Sequence, residues 1–192
     1  MLTEAAIYSP NFETLWPLIR RLKHTPMINF NSGIVLAPFD GSEVAMHEKW
    51  FADPQIRRYM DPKTPYIIDA VTHGKMTVPV DKFIQYIIEN PLFVWFRIIH
   101  LNYGFIGHAC MNGIDYEEMS FERALTIGEK QYWNMGIART VGNMLLENAK
   151  SIGFKKVYSS AHVDNIASVK NLTHQFGPGK LIENKLYFEL QL

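Results

Sequence analysis

The order of strands and helices between residues 91 and 163 constrains the fold of this chain more than any other feature. Two β-rich runs flank the tetrapeptide LNYG in PLFVWFRIIHLNYGFIGHACMNG (91–113), which predicts an antiparallel hairpin. Further along, MSFERALTIG (119–128) predicts a third strand, IARTVGNMLLENAKSIG (137–153) a helix and KKVYSSAHV (155–163) a fourth strand. Because a strand–helix–strand crossover makes its two strands parallel, we predict a mixed α/β sheet in which antiparallel strands precede one parallel β-α-β unit.

The flanking segments complete a single domain. We predict an N-terminal extension over residues 1–30, which is helical but interrupted by Pro17, and one domain over residues 31–192. Asp164 or Asn165 is expected to cap the last helix. Apolar periodicity and turn residues predict the remaining elements: helices at 11–24, 41–51, 53–60, 79–90 and 164–177, a strand at 33–39, and one or two strands after residue 180.

The composition is that of a soluble globular domain. Hydrophobic residues make up 47% of the chain and charged residues 20%, which separates it from disordered sequences. Lys+Arg and Asp+Glu both total 19, so we expect no nucleic-acid or membrane partner, and any anion site must be local. No signal peptide and no run of about 18 apolar residues is visible, and we expect a cytoplasmic protein.

Cysteine and histidine usage argues against disulfide, thiol and metal chemistry. Cys110 is the single cysteine, so no intrachain disulfide can form. Within the apolar run GFIGHACMNG it is expected to be a buried, inert thiol rather than a nucleophile. The seven histidines show no HExxH spacing, and no metal site is predicted.

A local anion site is suggested at the start of the helix that follows Gly136. Residues 134–139 carry the unpaired backbone N–H groups of a helix start, and these groups attract anions together with the helix dipole. Gly136 has no Cβ, so its backbone can approach a ligand closely. Arg139 opposes the dipole, and a bound phosphate would reverse that balance. A loop glycine beside a solvated arginine explains the same residues, and no GxxxxGKS/T or GxGxxG motif occurs to decide between them.

Three motifs, in order, resemble those of the GNAT superfamily of N-acetyltransferases. FERALTIGEKQYWNMGIARTVGNMLLENA (121–149) resembles its core motif, closest to the branch that includes ribosomal-protein N-terminal, polyamine and amino-sugar acetyltransferases. WFADPQIRRYM (50–60) resembles the opening of that branch, and DNIASVKNLTHQFG (164–177) resembles the helix that follows its core. The residues that match these patterns are Glu122, Ile127, Gly128, Trp133, Gly136, Ile137, Ala138, Asn165 and Ser168.

The resemblance implies acetyl-CoA as co-substrate and assigns residues to it. The pantetheine arm is expected to lie between two splayed parallel strands and to pair with the first of them, through Leu125, Thr126 and Ile127. Asn165, with Ser168 on the same helix, is expected to meet the pantetheine or the acetyl end. The loop that would hold the pyrophosphate consists of Trp133, Asn134, Met135, Gly136, Ile137, Ala138 and Arg139.

Two residues depart from the pattern of the superfamily. Asn134 replaces a glycine, but asparagine tolerates a left-handed backbone better than most residues, so the loop conformation can be retained. Leu172 falls at about the place where many members carry a tyrosine that protonates the leaving thiolate. Ser168 and His174 are nearby candidates for that acid, although polar helix residues usually serve only as solvated or capping groups.

The implied reaction is the attack of a neutral amine on the thioester. Glu122 matches the strand glutamate that serves as the base in the superfamily. A backbone N–H near Ile127 would polarise the carbonyl of the thioester. A solvent-facing strand carboxylate is the alternative interpretation of Glu122. A protein that binds acyl-CoA without catalysis, a degenerate relative, and a protein without any CoA ligand are the competing functions.

The sequence identifies neither the acceptor amine nor the oligomeric state. The resemblance places the acceptor groove between the early helices of residues 41–60 and the hairpin segment IDYEEMS (114–120). Asp115, Glu117 and Glu118 in that segment would attract a polyamine, an aminoglycoside or a protein N-terminus. A solvated hairpin tip explains the same carboxylates.

Overall fold

The computed structural model describes residues 9–42, 44–59 and 80–192. Parts of three predicted helices lie outside these ranges, as do residues 1–8 of the predicted extension. The helices described are α1 (Phe12–Leu22), α2 (Val44–Ala52), α3 (Pro54–Arg57), α4 (Val80–Glu89), α5 (Ile137–Ile152) and α6 (Ile166–Phe176). The strands are β1 (Met27–Asn29), β2 (Ile34–Pro38), β3 (Val94–His100), β4 (Gly104–Asp115), β5 (Ser120–Ile127), β6 (Lys156–His162), β7 (Lys180–Ile182) and β8 (Lys185–Gln191).

The described strands form one mixed sheet in the order β1-β2-β3-β4-β5-β6-β8-β7. Neighbouring strands are antiparallel except for β5 and β6, which flank α5 in the sequence and run parallel. The predicted α/β class and the single parallel step are therefore confirmed. The hairpin predicted around LNYG is the β3–β4 pair.

The parallel pair separates soon after it starts. β5 pairs with β6 only over Ser120–Glu122 and Lys156–Tyr158. Beyond that point β5 stays on β4 as far as Ile127, and β6 stays on β8 as far as His162. The Ser159 hydroxyl donates to the carbonyl of Arg123 at 2.9 Å, directly after the last paired position. The two strands thus splay as predicted, and we call the opening between residues 124–127 and 160–162 the cleft.

Side chains of β5 alternate between two differently covered faces of the sheet. Arg123 points toward α5 and α6, since its guanidinium contacts Gln175 of α6 and the site of Gly142 on α5. Glu122 therefore points to the opposite face. On that opposite face, the ring of Tyr59, a residue that follows α3, lies 5.6 Å from the ring of His162 at the end of β6. The main core lies on the α5 side and contains Phe121, Val141, Leu145 and Val157 among others.

The N-terminal helix packs on the domain. Leu15, Ile19 and Leu22 of α1 are buried in the same cluster as the sheet and α5. The helix continues through Pro17 instead of being interrupted there. Strand β1, which pairs with β2 at one edge of the sheet, was not predicted, because three residues are too few to show a strand period.

A buried lysine connects α1 to α4. The Lys23 ammonium donates to the carbonyls of Ile87, Ile88 and Asn90 at the end of α4. These are orphan carbonyls of a helix C-terminus, where a cation is also favoured by the helix dipole. Burial lowers the pKa of Lys23 to about 8, so most of the ammonium stays charged at neutral pH.

Replacing Lys23 by Met is expected to lower the free energy of unfolding by about 1–3 kcal/mol, because buried carbonyls lose their donor. Urea denaturation monitored by circular dichroism measures this change. Lys170→Met, at an exposed position of α6, is the control and should change stability little. Equal effects of the two substitutions would show that the Lys23 hydrogen bonds do not stabilise the fold.

Candidate active site

The loop before α5 presents backbone donors at the mouth of the cleft. Gly136, the N-cap of α5, has φ +78° and ψ −2°, and Asn134 has φ +63°. The left-handed conformation expected at Asn134 is therefore present. Within the described part of the chain, the N–H groups of residues 134–138 donate to no backbone carbonyl. The N–H of Arg139 already donates to the carbonyl of Gly136 at 3.0 Å, so the available donors end at Ala138.

Gly136 is required by its conformation and not by crowding. A Cβ at this position would meet none of the described atoms within 4 Å, but φ +78° is disfavoured for residues with a side chain. The space above the loop is open to a ligand. The Arg139 side chain is exposed and makes no ion pair with the residues that the structure describes, so its charge is available to an anion at the helix start.

The backbone of β5 faces the cleft at alternate residues. The Arg123 carbonyl points toward β6, since it accepts from Ser159, and alternation then directs the backbone groups of Leu125 and Ile127 to the same side. The Thr126 carbonyl faces β4 instead, where it lies 2.2 Å from a Cβ placed on Gly107. Of the three predicted pantetheine partners, Leu125 and Ile127 have the suitable orientation.

Trp133 folds back onto the end of β5. Its indole Nε1 donates to the carbonyl of Ile127 at 2.7 Å. The indole is partly exposed, and it connects the mouth of the cleft to the loop that carries the free amides. The carbonyl of Ile127 is thus already engaged, whereas its N–H still faces the cleft.

Glu122 lies where the two parallel strands separate. It is the last residue of β5 that pairs with β6, opposite Tyr158, and its neighbour on β4 is Asn112. The carboxylate is exposed, and its Oε1 lies 3.5 Å from the Ser160 hydroxyl. A polar group accessible from solvent thus stands at the closed end of the cleft, on the face opposite α5 and α6.

Asn165, one of the two residues predicted to cap this helix, is the N-cap of α6. Its Oδ1 accepts from the N–H of Ser168 at 3.3 Å, and its Nδ2 has no hydrogen-bond partner among the described residues, so it can donate to a ligand. Ser168 belongs to α6, which packs on the face of the sheet opposite the Glu122 side chain, and its catalytic role stays a prediction. Leu172 is buried in the core and offers no proton.

A polar contact between the loop and helices α2 and α3 was not anticipated from the sequence. Glu129 Oε1 accepts from the Trp50 indole at 3.0 Å and from Lys49 Nζ at 2.9 Å. Lys130 Nζ lies 2.6 Å from Asp53 Oδ2. The Trp50 indole, and next Lys49, lower the pKa of Glu129, and Lys130 lowers the pKa of Asp53.

Gly128, which precedes this polar contact, leaves space for the Trp50 ring. A Cβ on Gly128 would lie 2.0 Å from the Trp50 ring, and the ring itself is 2% exposed. An open pocket of about 300 Å³ lies here. Its lining consists of Lys49, Trp50, Asp53, Ile56, Gly128, Glu129, Lys130 and Gln131. Residues 128–130 therefore hold α2 and α3 against the loop that leads to Gly136.

The acidic hairpin between β4 and β5 has local partners. Asp115 Oδ1 accepts from the N–H groups of Glu117 and Glu118, and Glu118 pairs with Lys156 at 3.1 Å. Tyr116 is buried and donates its hydroxyl proton to the carbonyl of Pro91. These contacts give Asp115 and Glu118 local partners, and the attraction of an acceptor by this segment stays a prediction.

Thiol and metal chemistry gain no support. Cys110 is buried as predicted, and burial raises the pKa of its thiol, which disfavours the nucleophilic thiolate. The residues that the structure describes contain no group of three or more potential metal ligands. No helix among them is long and apolar enough to cross a membrane.

The chain is similar to known acetyltransferases. The Acetyltransferase (GNAT) domain family matches residues 34–174. No curated protein sequence matches. Among solved structures, spermidine N-acetyltransferase from Vibrio cholerae in complex with CoA and spermine has a TM-score of 0.64 and 16% identity, covering 84% of this chain and 96% of that one.

Two further structures share the fold. Ribosomal-protein-S5-alanine acetyltransferase from Vibrio fischeri has a TM-score of 0.64 and 12% identity, covering 87% of this chain and 96% of that one. The microcin C7 self-immunity acetyltransferase in complex with acetyl-CoA and AMP has a TM-score of 0.65 and 15% identity, covering 89% and 99%. The chain belongs to the GNAT acetyltransferase family, and it is an N-acetyltransferase whose co-substrate is acetyl-CoA.

Gly128→Ala is expected to destabilise the protein by about 1–3 kcal/mol, because the added methyl group overlaps the Trp50 ring. Chemical denaturation of Gly128→Ala, Trp50→Ala and the double variant measures the coupling free energy between the two substitutions. The added methyl group should lower the free energy of unfolding much less when the Trp50 ring is absent. Additive effects would contradict direct packing of Gly128 on Trp50.

Proposed function

We propose that this protein transfers the acetyl group of acetyl-CoA to a primary amine of a small molecule or a protein N-terminus, by direct attack of the amine on the thioester. The observation that supports this best is the combination of two splayed parallel strands with the free amides of residues 134–138 at the mouth of the gap. A pantetheine arm needs hydrogen-bond partners along its length, and a pyrophosphate needs donors at one end. The cleft and the loop supply both kinds of partner.

In the proposed complex the co-substrate binds these donors. The pyrophosphate lies on the amides of residues 134–138, at the positive end of the α5 dipole, with Arg139 beside it. The pantetheine arm pairs with the cleft-facing backbone of Leu125 and Ile127, and the free Nδ2 of Asn165 donates to it from the other wall. This direction brings the thioester to the closed end of the cleft, near Glu122.

The proposed chemistry uses Glu122 as the base. An alkylamine has a pKa of about 10 and must lose a proton before it attacks. Glu122 is exposed on the acceptor side, so it can take that proton directly or through one water molecule. A cleft-facing amide of β5 beside the thioester stabilises the developing oxyanion. The thiolate, with a pKa of about 8.5 for its thiol, departs as an anion, because Leu172 offers it no proton.

The acceptor is proposed to bind on the face of the sheet that carries Glu122. The Ser160 hydroxyl, the Tyr158 ring and His162 belong to the same face by strand alternation. Tyr59, after α3, lies beside His162. Spermidine and an N-terminal alanine peptide are suitable test acceptors, because similar structures are named for these activities.

Glu122→Gln is expected to lower the rate of amine acetylation by at least about 10²-fold, because the amine loses its proton acceptor. Release of CoA thiol from acetyl-CoA in the presence of spermidine, an N-terminal alanine peptide or an aminoglycoside measures the rate. Glu147→Gln, an exposed carboxylate on α5, is the matched control. Unchanged turnover in Glu122→Gln would exclude Glu122 as the base.

Gly136→Val is expected to abolish the stabilisation of the protein by CoA. A ligand that binds only the folded state stabilises it by about 2.7 kcal/mol at a hundredfold excess over its Kd, and thermal denaturation with and without CoA detects this. Gly113→Val is the control, because Gly113 also has positive φ and open space around its Cβ. A CoA shift that survives in Gly136→Val would place the pyrophosphate elsewhere.

A further inference from the structure

Arg123 is a buried cation to which the described part of the chain offers no carboxylate. The residue is 3% exposed, and the described residues offer it no ion pair. Its Nη1 donates to Gln175 Oε1 at 2.6 Å and its guanidinium lies 5.0 Å from the Phe176 ring, whereas its Nε has no partner among the described residues. Burial of a charge is costly unless the surrounding polar groups compensate. A position in the core thus carries a residue that packing alone does not explain.

The side chain of Gln175 extends the Arg123 contact to the start of α5. Its Nε2 donates to the carbonyl of Arg139 at 3.0 Å and to Asn143 Oδ1 at 2.6 Å. The carbonyl of Arg123 accepts from Ser159 on β6. A continuous series of contacts therefore runs from β6 through β5 and α6 to the first turn of α5. These are the four elements that surround the cleft.

The interface between α5 and α6 has space for the side chains of Arg123 and Gln175. A Cβ on Gly142 would lie 2.2 Å from Arg123 Nη1 and 2.5 Å from both polar atoms of the Gln175 amide. Gly142 is buried inside α5, where glycine is less favourable than alanine. The absence of a side chain at this position is what allows Arg123 and Gln175 to meet.

We propose that Arg123 and Gln175 are positioning residues for acetyl-CoA, which hold the first turn of α5 in register with the cleft. The proposal rests on the proposed placement of the pyrophosphate at residues 134–138. The carbonyl of Arg139 belongs to the same turn as those amides, so its bond to Gln175 fixes their position relative to β5. Small displacements of positioned groups are costly, since about 1 Å can change a rate by 10²-fold.

Gln175→Glu separates this role from packing. The glutamate still accepts from Arg123 and gains an ion pair, but it cannot donate to the carbonyl of Arg139. We expect the Kd for CoA, measured by isothermal titration calorimetry, to rise about tenfold or more, while the melting temperature is unchanged or higher. Gln191→Glu, which adds the same charge at an exposed position of β8, should bind CoA as the wild type does. Wild-type affinity in Gln175→Glu would overturn the proposal.

Substitutions of Arg123 provide the second measurement. Arg123→Met should weaken CoA binding about as much as Gln175→Met, and the double variant should bind no worse than the weaker single variant, because both changes break one series of contacts. Arg123→Lys retains a charged donor and should recover part of the affinity. Additive losses would overturn the proposal. Failure of the wild-type protein to bind CoA would instead contradict the proposed function.

Discussion

The structure depends on an incomplete pairing between β5 and β6. Each strand keeps a full antiparallel partner on its outer side, so the sheet remains intact while its middle opens. Backbone groups of a strand that lose their neighbour need another hydrogen-bond partner. The cleft-facing groups of Leu125 and the N–H of Ile127 are therefore open to an extended ligand with amide groups. The position of the proposed site follows from where the pairing of the two strands stops.

The two ends of the cleft differ in chemistry because different elements build them. At the mouth, the left-handed residues Asn134 and Gly136 turn the chain into α5 and expose its first amides. At the closed end, Glu122 emerges from the last paired position, on the face away from α5. Exposed amides stand at one end and a carboxylate at the other. The proposed placement of CoA puts its diphosphate at the first end and its thioester at the second.

Much of the fold was predictable, because long elements leave periodic patterns. The helix at 137–153 and the strands at 119–128 and 155–163 were found within a few residues, whereas the three residues of β1 left no pattern. For the site, local backbone requirements such as those of Asn134 and Gly136 could be read from residue types. Contacts between distant residues could not, since Trp50 and Glu129, or Arg123 and Gln175, meet only after the sheet and helices are in place.

The burial of Cys110 has a practical consequence for the study of this enzyme. It is the only thiol of the chain, and it becomes accessible only when the sheet opens. A chromogenic thiol reagent therefore reports the CoA that leaves the active site almost without background from the folded protein. The slow residual reaction in the absence of substrate measures a different quantity, the frequency of opening of the sheet around β4. One reagent thus reads both turnover and the opening of the fold.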